Sequence, residues 1–215
     1  MEIDFGLSKN LFEQYFTEEF SNEEVLTSNE KLQMEGVSEK RIKDFSSGRF
    51  CAREVLGRLG NVNSEILIGP GKEPLWPDGF VGSISHSKSI VGAVVSKSSQ
   101  LVSIGLDIEK IGRVKKNMWN ILFTQNEQKF LSTLSDDEEK FYTTLYFSMK
   151  ESFYKLQFPL TQKYLGFTDV ELIQKNGKFR LEILKNFKGK EQLPVFTHIN
   201  YARHNNDVIS VCFIE

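Results

Sequence analysis

Apolar residues return along this chain at two different periods, and the alternation between them marks out its elements. Between Ser38 and Leu59 the residues Ile42, Phe45, Ala52, Val55, Leu56 and Leu59 recur at helical spacing, so a helix is predicted there, with Gly60 as its stop. Residues 10–35 are polar with scattered Phe and Leu and read as short surface helices. A short β-rich piece, "SEILIGP", precedes "GKEPLWPDG", a loop dense in Gly and Pro. "FVGSISHS" and "SIVGAVVS" read as two strands joined by a polar turn, and "LVSIGLDIE" as a third.

The second half follows a loosely similar order. Thr124 and Glu127 have capping-box spacing ahead of "QKFLSTL", and a longer helix is predicted from about Asp136 to Leu156. Strands then return as "DVELIQ", "KFRLEIL", "FTHINYAR" and "DVISVCFI", with "NGK" and "HNND" as turns. The expected fold class is α+β. Two similar halves, 1–103 and 104–215, form one compact unit, each a long helix packed on a small, mostly antiparallel sheet. No residue-level repeat relates them on this reading, and no Pro/Gly/Ser-rich linker separates them.

Composition narrows the class. The chain has 215 residues, 40% hydrophobic and 26% charged, the balance of a soluble globular protein. Its net charge of −2 gives no global attraction for nucleic acid, so any basic site must be local. Cys51 and Cys212 lie in apolar segments and suggest core packing, not a disulfide framework or a zinc site. The first ten residues lack a signal-peptide pattern, and no apolar run approaches the roughly 18–20 residues of a membrane span. A cytoplasmic, monomeric protein is expected.

Five segments carry candidate chemistry. In "GLDIE", Asp107 and Glu109 share one face of a strand, with Leu106 and Ile108 on the other. Like charges that close repel unless a cation sits between them, and a hard divalent ion such as Mg²⁺ accepts carboxylate oxygens. The plainer alternative is a strand turning its polar face to solvent. In "FSMKESFYK", Phe147, Glu151 and Lys155 share one helix face with Lys150 beside them, so Glu151 is a candidate third carboxylate. Arg49 and Arg53, four apart in "GRFCAR", suit phosphate oxygens or form a solvated basic face. Lys72 sits on the Gly/Pro loop "GKEPLWP". Ser85 and His86 end an apolar strand, with no partner spaced for zinc and no G-x-S-x-G elbow.

In this order, "GRFCAREVLGRLG", "GKEPLWPDGFVGSISHS", "GLDIE" and "FSMKESFYKLQFPLTQKYLGF" resemble the 4′-phosphopantetheinyl transferases of the surfactin type, and within them the enterobactin synthetase component D branch. The resemblance implies a pseudo-dimer of two α+β halves with the active site in the cleft between them. It implies transfer of the 4′-phosphopantetheine arm of coenzyme A to a serine of an acyl, peptidyl or aryl carrier protein, releasing adenosine 3′,5′-bisphosphate. Asp107, Glu109 and Glu151 would hold Mg²⁺, or Mn²⁺, against the coenzyme A pyrophosphate. Lys155 would contact the phosphates and meet the leaving group, with Lys150 adding charge nearby. Arg49, Arg53, Lys72 and His86 would hold the nucleotide end, and Gly71, Pro74 and Ser85 would lie beside it. Glu109 or Glu151 would take the serine proton. Phe147 and Ser152 stand where many relatives have Trp and Ala, and the first 45 and last 40 residues match only in outline.

Residues 111–123, "IGRVKKNMWNILF", mix Arg113, Lys115 and Lys116 with Met118, Trp119, Ile121 and Leu122, either as a core-packed helix or as a docking surface for an acidic carrier. The branch leans towards siderophore or other nonribosomal peptide metabolism. Two other functions fit the same acids: another Mg²⁺-dependent nucleotide phosphotransferase, and a non-catalytic relative that only binds coenzyme A.

Overall fold

A computed structural model describes residues 1–7, 11–62, 64–175, 177–193 and 197–215. In chain order the elements are β1 (Glu13–Thr17), α1 (Ser28–Leu32), α2 (Glu39–Arg58), β2 (Phe80–His86), β3 (Val91–Lys97) and β4 (Ser103–Lys110). There follow α3 (Trp119–Leu122), α4 (Gln125–Leu131), α5 (Asp136–Thr161), β5 (Val170–Lys175), β6 (Lys178–Ile183), β7 (His198–His204) and β8 (Asp207–Ile214). There are two three-stranded antiparallel sheets, ordered β1-β3-β2 and β4-β8-β7, and a separate two-stranded β5-β6 hairpin. Each three-stranded sheet has one plan: a strand, a long helix, then two strands, with the first strand pairing with the last.

Side-chain alternation stacks these units in four layers. Val91, Ala93 and Val95 of β3 face Cys51, Ala52, Val55 and Leu56 of α2. From the other face, Val94 and β1's Phe16 meet Ile104, Leu106 and Ile108 of β4 and Ile209, Val211 and Phe213 of β8. The far side of the second sheet, with Val208, Cys212 and Ile214, takes Met149, Phe153 and Leu156 of α5. The order is therefore helix, sheet, sheet, helix, and the architecture is the expected duplicated α+β fold. Cys51 and Cys212 are buried free thiols, as their apolar surroundings implied. No helix among the described residues is long and apolar enough to cross a membrane.

Several local expectations are corrected. Within residues 10–35 lies β1, an edge strand whose Phe16 is buried; its five residues are too few for alternation to stand out. "SEILIGP" forms no strand, only an isolated bridge from Ile68 to Pro74. Residues 111–123 form a 3₁₀ turn and the single-turn α3. Helix α5 runs past Leu156 to Thr161, through Pro159 in its last turn, where the ring forfeits one bond to the carbonyl four residues back and the helix ends two residues later. Asn176 of the "NGK" turn and Phe196 of "FTHINYAR" lie outside the described residues.

A residue-level repeat, absent from the sequence reading, is present. Thr27, Asn29 and Glu30 recur as Thr124, Asn126 and Glu127, each set forming a capping box at the start of a short helix. At the same spacing, without a gap, Ser38 recurs as Ser135, Phe50 as Phe147, Arg53 as Lys150, Glu54 as Glu151 and Arg58 as Lys155. The contacts repeat too. Glu30 is fully buried, receives Arg53 Nη1 at 2.9 Å and accepts from the Ile66 N–H at 2.9 Å. Glu127 is buried, receives Lys150 Nζ at 2.6 Å and accepts from the Leu172 N–H at 2.7 Å. Glu65 and Glu171 complete the pattern by accepting from Thr27 with Asn29, and from Thr124 with Asn126. Each clamp ties a long helix to its capped neighbour and to the chain that follows.

Candidate active site

The placement of the acids in the second half owes its geometry to Gly105. A Cβ there would run into the Ser152 carbonyl oxygen, so only glycine lets α5 lie directly on β4. Ser103 Oγ then donates to the Leu156 carbonyl at 2.7 Å, and Ser148 and Ser152 sit on Ser210 and Cys212. Both faces of β4 are covered. Its apolar side chains turn to the first sheet, while Asp107 and Glu109 turn to the α5 side, where Lys155 stands. The two acids thus belong to a buried strand, not to a solvent face: their exposures are 4% and 6%.

A hydrogen-bond hub joins the halves here. Lys155 Nζ donates to Asp107 Oδ1 at 2.8 Å, to the Leu106 carbonyl at 3.0 Å and to Ser85 Oγ at 3.0 Å. Ser85, on β2, also accepts from the Ile108 N–H at 3.1 Å and donates to Asp107 Oδ1 at 3.2 Å. Glu109 Oε2 accepts from Arg113 Nη1 at 2.8 Å. Asp107 Oδ2 is buried and without a hydrogen-bond partner among the described residues. Burial, then the neighbouring Asp107, pushes the Glu109 carboxyl up to about 7, and the same two causes raise Glu151. Asp107 therefore repels both glutamates, while Lys155 and Arg113 draw their carboxyls the other way. Among the described residues no three acidic, His or Cys side chains are gathered closely enough to ligate one ion.

Three cavities meet at this hub. The first, about 340 Å³, is walled by Arg41, Phe45 and Arg49 of α2, Lys72 of the Gly/Pro loop, and Ser85, His86, Asp107 and Lys155. Arg49 is held by its Nε bond to the Ile66 carbonyl at 2.6 Å and lies over the Phe45 ring; burial lowers its pKa to about 10. Burial likewise lowers His86, against the Asp44 carboxylate 3.8 Å away, which raises it. The second, about 450 Å³, is an aromatic slot walled by Gly71, Trp76, Tyr154, Phe158 and Tyr164, with Glu151 also lining it and Lys72, Pro74 and Lys155 shared with the first. The third is an open groove of about 520 Å³ with Lys40, Lys88, Lys110, Arg113 and Lys115 around His86 and Glu109.

Most expected residues gather here: Arg49, Gly71, Lys72, Pro74, Ser85, His86, Asp107, Glu109, Glu151 and Lys155. Two do not. Lys150 faces away from the hub, enclosed by Glu127, the Leu122 carbonyl at 3.0 Å and the Phe167 carbonyl at 2.8 Å. Arg53 is taken by Glu30 and the Val25 carbonyl. Both are the cation of a repeated clamp, and a buried carboxylate holds such a cation in place. Arg41, Asp44 and Phe45 were missed. The productive stripe runs backwards from Arg49 to Phe45 and Arg41, not forwards to Arg53, and the four-residue step from Phe45 to Arg49 was its signal. In residues 111–123, Trp119 and Leu122 are buried in the core, Lys116 reaches Glu139 at 3.1 Å, and Ile121 is 70% exposed.

Coupled carboxylates beside Lys155, Arg49, Lys72 and His86 suit a phosphorylated ligand and a hard cation. The family model described as the 4′-phosphopantetheinyl transferase superfamily matches residues 103–212, and that of the 4′-phosphopantetheinyl transferase N-terminal domain matches residues 29–96. The chain belongs to the 4′-phosphopantetheinyl transferase superfamily. It is 36% identical over 134 residues to the 4′-phosphopantetheinyl transferase Svp of Streptomyces mobaraensis, covering 62% of this chain and 54% of that protein. It is 34% identical over 133 residues to the 4′-phosphopantetheinyl transferase PptT of Mycobacterium tuberculosis, covering 62% of this chain and 58% of that one. Against enterobactin synthase component D of Escherichia coli the identity is 30% over 169 residues, 77% of each chain. The match thus spans little more than half the length of the first two relatives.

Proposed function

We propose that this protein transfers the 4′-phosphopantetheine arm of coenzyme A to a serine of a carrier protein and releases adenosine 3′,5′-bisphosphate. The observation that carries the reading is the hub: Asp107 acting on both Glu109 and Glu151, held by Lys155 through Oδ1 and with Oδ2 without a partner among the described residues. Its three cavities suit the three parts of such a reaction. Arg41, Arg49, Lys72 and His86 suit the phosphorylated nucleotide, the aromatic slot suits the arm, and the cationic groove suits an acidic carrier.

The chemistry of the donors suits Mg²⁺ or Mn²⁺, hard carboxylate oxygens of which one is buried and orphaned, although the three side chains are not gathered about one point in this structure. Asp107, Glu109 and Glu151 would hold the ion, which supplies charge neutralisation at the pyrophosphate. This chain's own residues do the rest. Lys72, shared by the nucleotide cavity and the slot, binds at the junction of nucleotide and arm. The carrier serine Oγ attacks the β-phosphorus, and the bond from that phosphorus to the bridging oxygen breaks. Lys155 meets the charge on the departing bisphosphate, and Glu109 or Glu151 takes the serine proton.

The test is intact-mass analysis of an apo carrier protein incubated with this protein, coenzyme A and Mg²⁺. A gain of one phosphopantetheine is expected. Nucleotide turnover without a carrier would instead favour a simple phosphotransferase, and coenzyme A binding without transfer a non-catalytic relative. The similarity to enterobactin synthase component D makes a nonribosomal peptide carrier of siderophore synthesis the first to try.

A further inference from the structure

Glu73 stands in the wall of the aromatic slot with a buried carboxylate oxygen, Oε2, that has no hydrogen-bond partner among the described residues. Its position is built, not incidental. The loop folds back on itself, with Gly69 N–H donating to the Glu73 carbonyl at 2.7 Å, Leu75 N–H to the Leu67 carbonyl at 2.9 Å, and Lys72 at a φ of 69. Two glycines vacate the space that the carboxyl fills: a Cβ at Gly69 would lie 2.6 Å from its Cδ, and one at Gly71 2.9 Å from Oε2. Four rings line the slot, with Tyr154, Phe158 and Tyr164 in mutual ring contact and Trp76 lying against Gly82, beside Lys72, Ser83, Glu151 and Lys155. A buried acceptor left without a donor is costly unless a ligand donates to it.

The slot shares Lys72, Pro74, Ile84 and Lys155 with the nucleotide cavity and adds Glu151, Tyr154, Phe158 and Tyr164, so it adjoins the place where the phosphorus would sit. Its occupant is therefore the group attached to the phosphorus that is transferred, and on the proposed reaction that group carries amide N–H groups and a hydroxyl. We propose that Glu73 Oε2 accepts a hydrogen bond from an N–H or O–H of the transferred arm, making Glu73 a specificity-determining residue for the donor substrate. This rests on the reading of the protein as a phosphopantetheinyl transferase.

The test compares coenzyme A with three analogues: either amide nitrogen replaced by oxygen, or the hydroxyl by hydrogen. Each is assayed by mass transfer to an apo carrier with wild type, Glu73→Gln and Glu73→Ala. Wild type should lose on the order of 10-fold in kcat/KM with one analogue. Glu73→Ala should lose a similar factor with coenzyme A and no longer distinguish that analogue. Glu73→Gln keeps an acceptor oxygen and should behave like wild type, which separates lost recognition from a loop that no longer folds. Unchanged discrimination by Glu73→Ala across all three analogues, or an equal loss with every donor, overturns the assignment. Absence of any transfer by the wild type removes the underlying reaction as well.

Discussion

At the scale of single residues, the seam is a set of acids held at a cost. Asp107 is tied through one oxygen only, so Asp107→Ala should abolish transfer while the protein stays folded, as thermal melting would verify; near-normal transfer by a folded variant would refute its role. Glu109 makes a pH prediction for the metal-free protein. Its carboxyl is raised from 4.5 to about 7 in the folded state, chiefly by burial. A raised acid is protonated in the fold but ionised in the unfolded chain between those values, so folding stability falls as pH rises through that window and the full penalty stands above 7. Glu109→Gln removes the penalty. It should raise Tm at pH 8, by no more than about 3 kcal/mol of stability, and leave Tm at pH 4 unchanged. An equal effect at both pH values would contradict the burial argument.

At the scale of elements, the contact of α5 with β4 decides where the chemistry sits. Gly105→Ala should separate them, costing roughly 1–3 kcal/mol or more and lowering kcat by shifting Lys155 from Asp107. Melting and transfer assays would check both. The clamps carry the second prediction. Lys150→Met leaves Glu127 buried and unpaired, and Arg53→Met does the same to Glu30. Each should cost about 3–5 kcal/mol in unfolding experiments, with the coenzyme A KM of the folded fraction unchanged. These two residues also show how far the sequence could be read. Both long helices were legible from periodicity, as was the Asp107–Glu109 face from strand alternation. What hid Arg53 and Lys150 was their partners: Glu30 and Glu127 lie far away in sequence, and no periodicity marks a buried ion pair between elements. Strand β1 was hidden for a related reason, since pairing with β3, not its own pattern, makes it a strand.

At the scale of the whole molecule, the third cavity predicts how a partner arrives. Lys40 and Lys88 come from the first half and Lys110, Arg113 and Lys115 from the second, so cations from both halves border the approach to Glu109. Lys115→Glu with Ile121→Ser should raise the KM for carrier protein several-fold, more at low salt than at high, and leave that for coenzyme A alone. An unchanged carrier KM would remove this surface from the reaction. The recurrence of Thr27–Glu30 as Thr124–Glu127 has a consequence of its own. A molecule assembled twice from one plan has two seams between strand and long helix. In the second half that junction holds Asp107 and Lys155; in the first, Arg58 lies 5.3 Å over the ring of Tyr15. One crevice sets its lysine on a buried acid while its counterpart sets an exposed arginine over a ring, so tolerance to random change should be lopsided, wide around Tyr15 and Arg58 and narrow around Asp107 and Lys155.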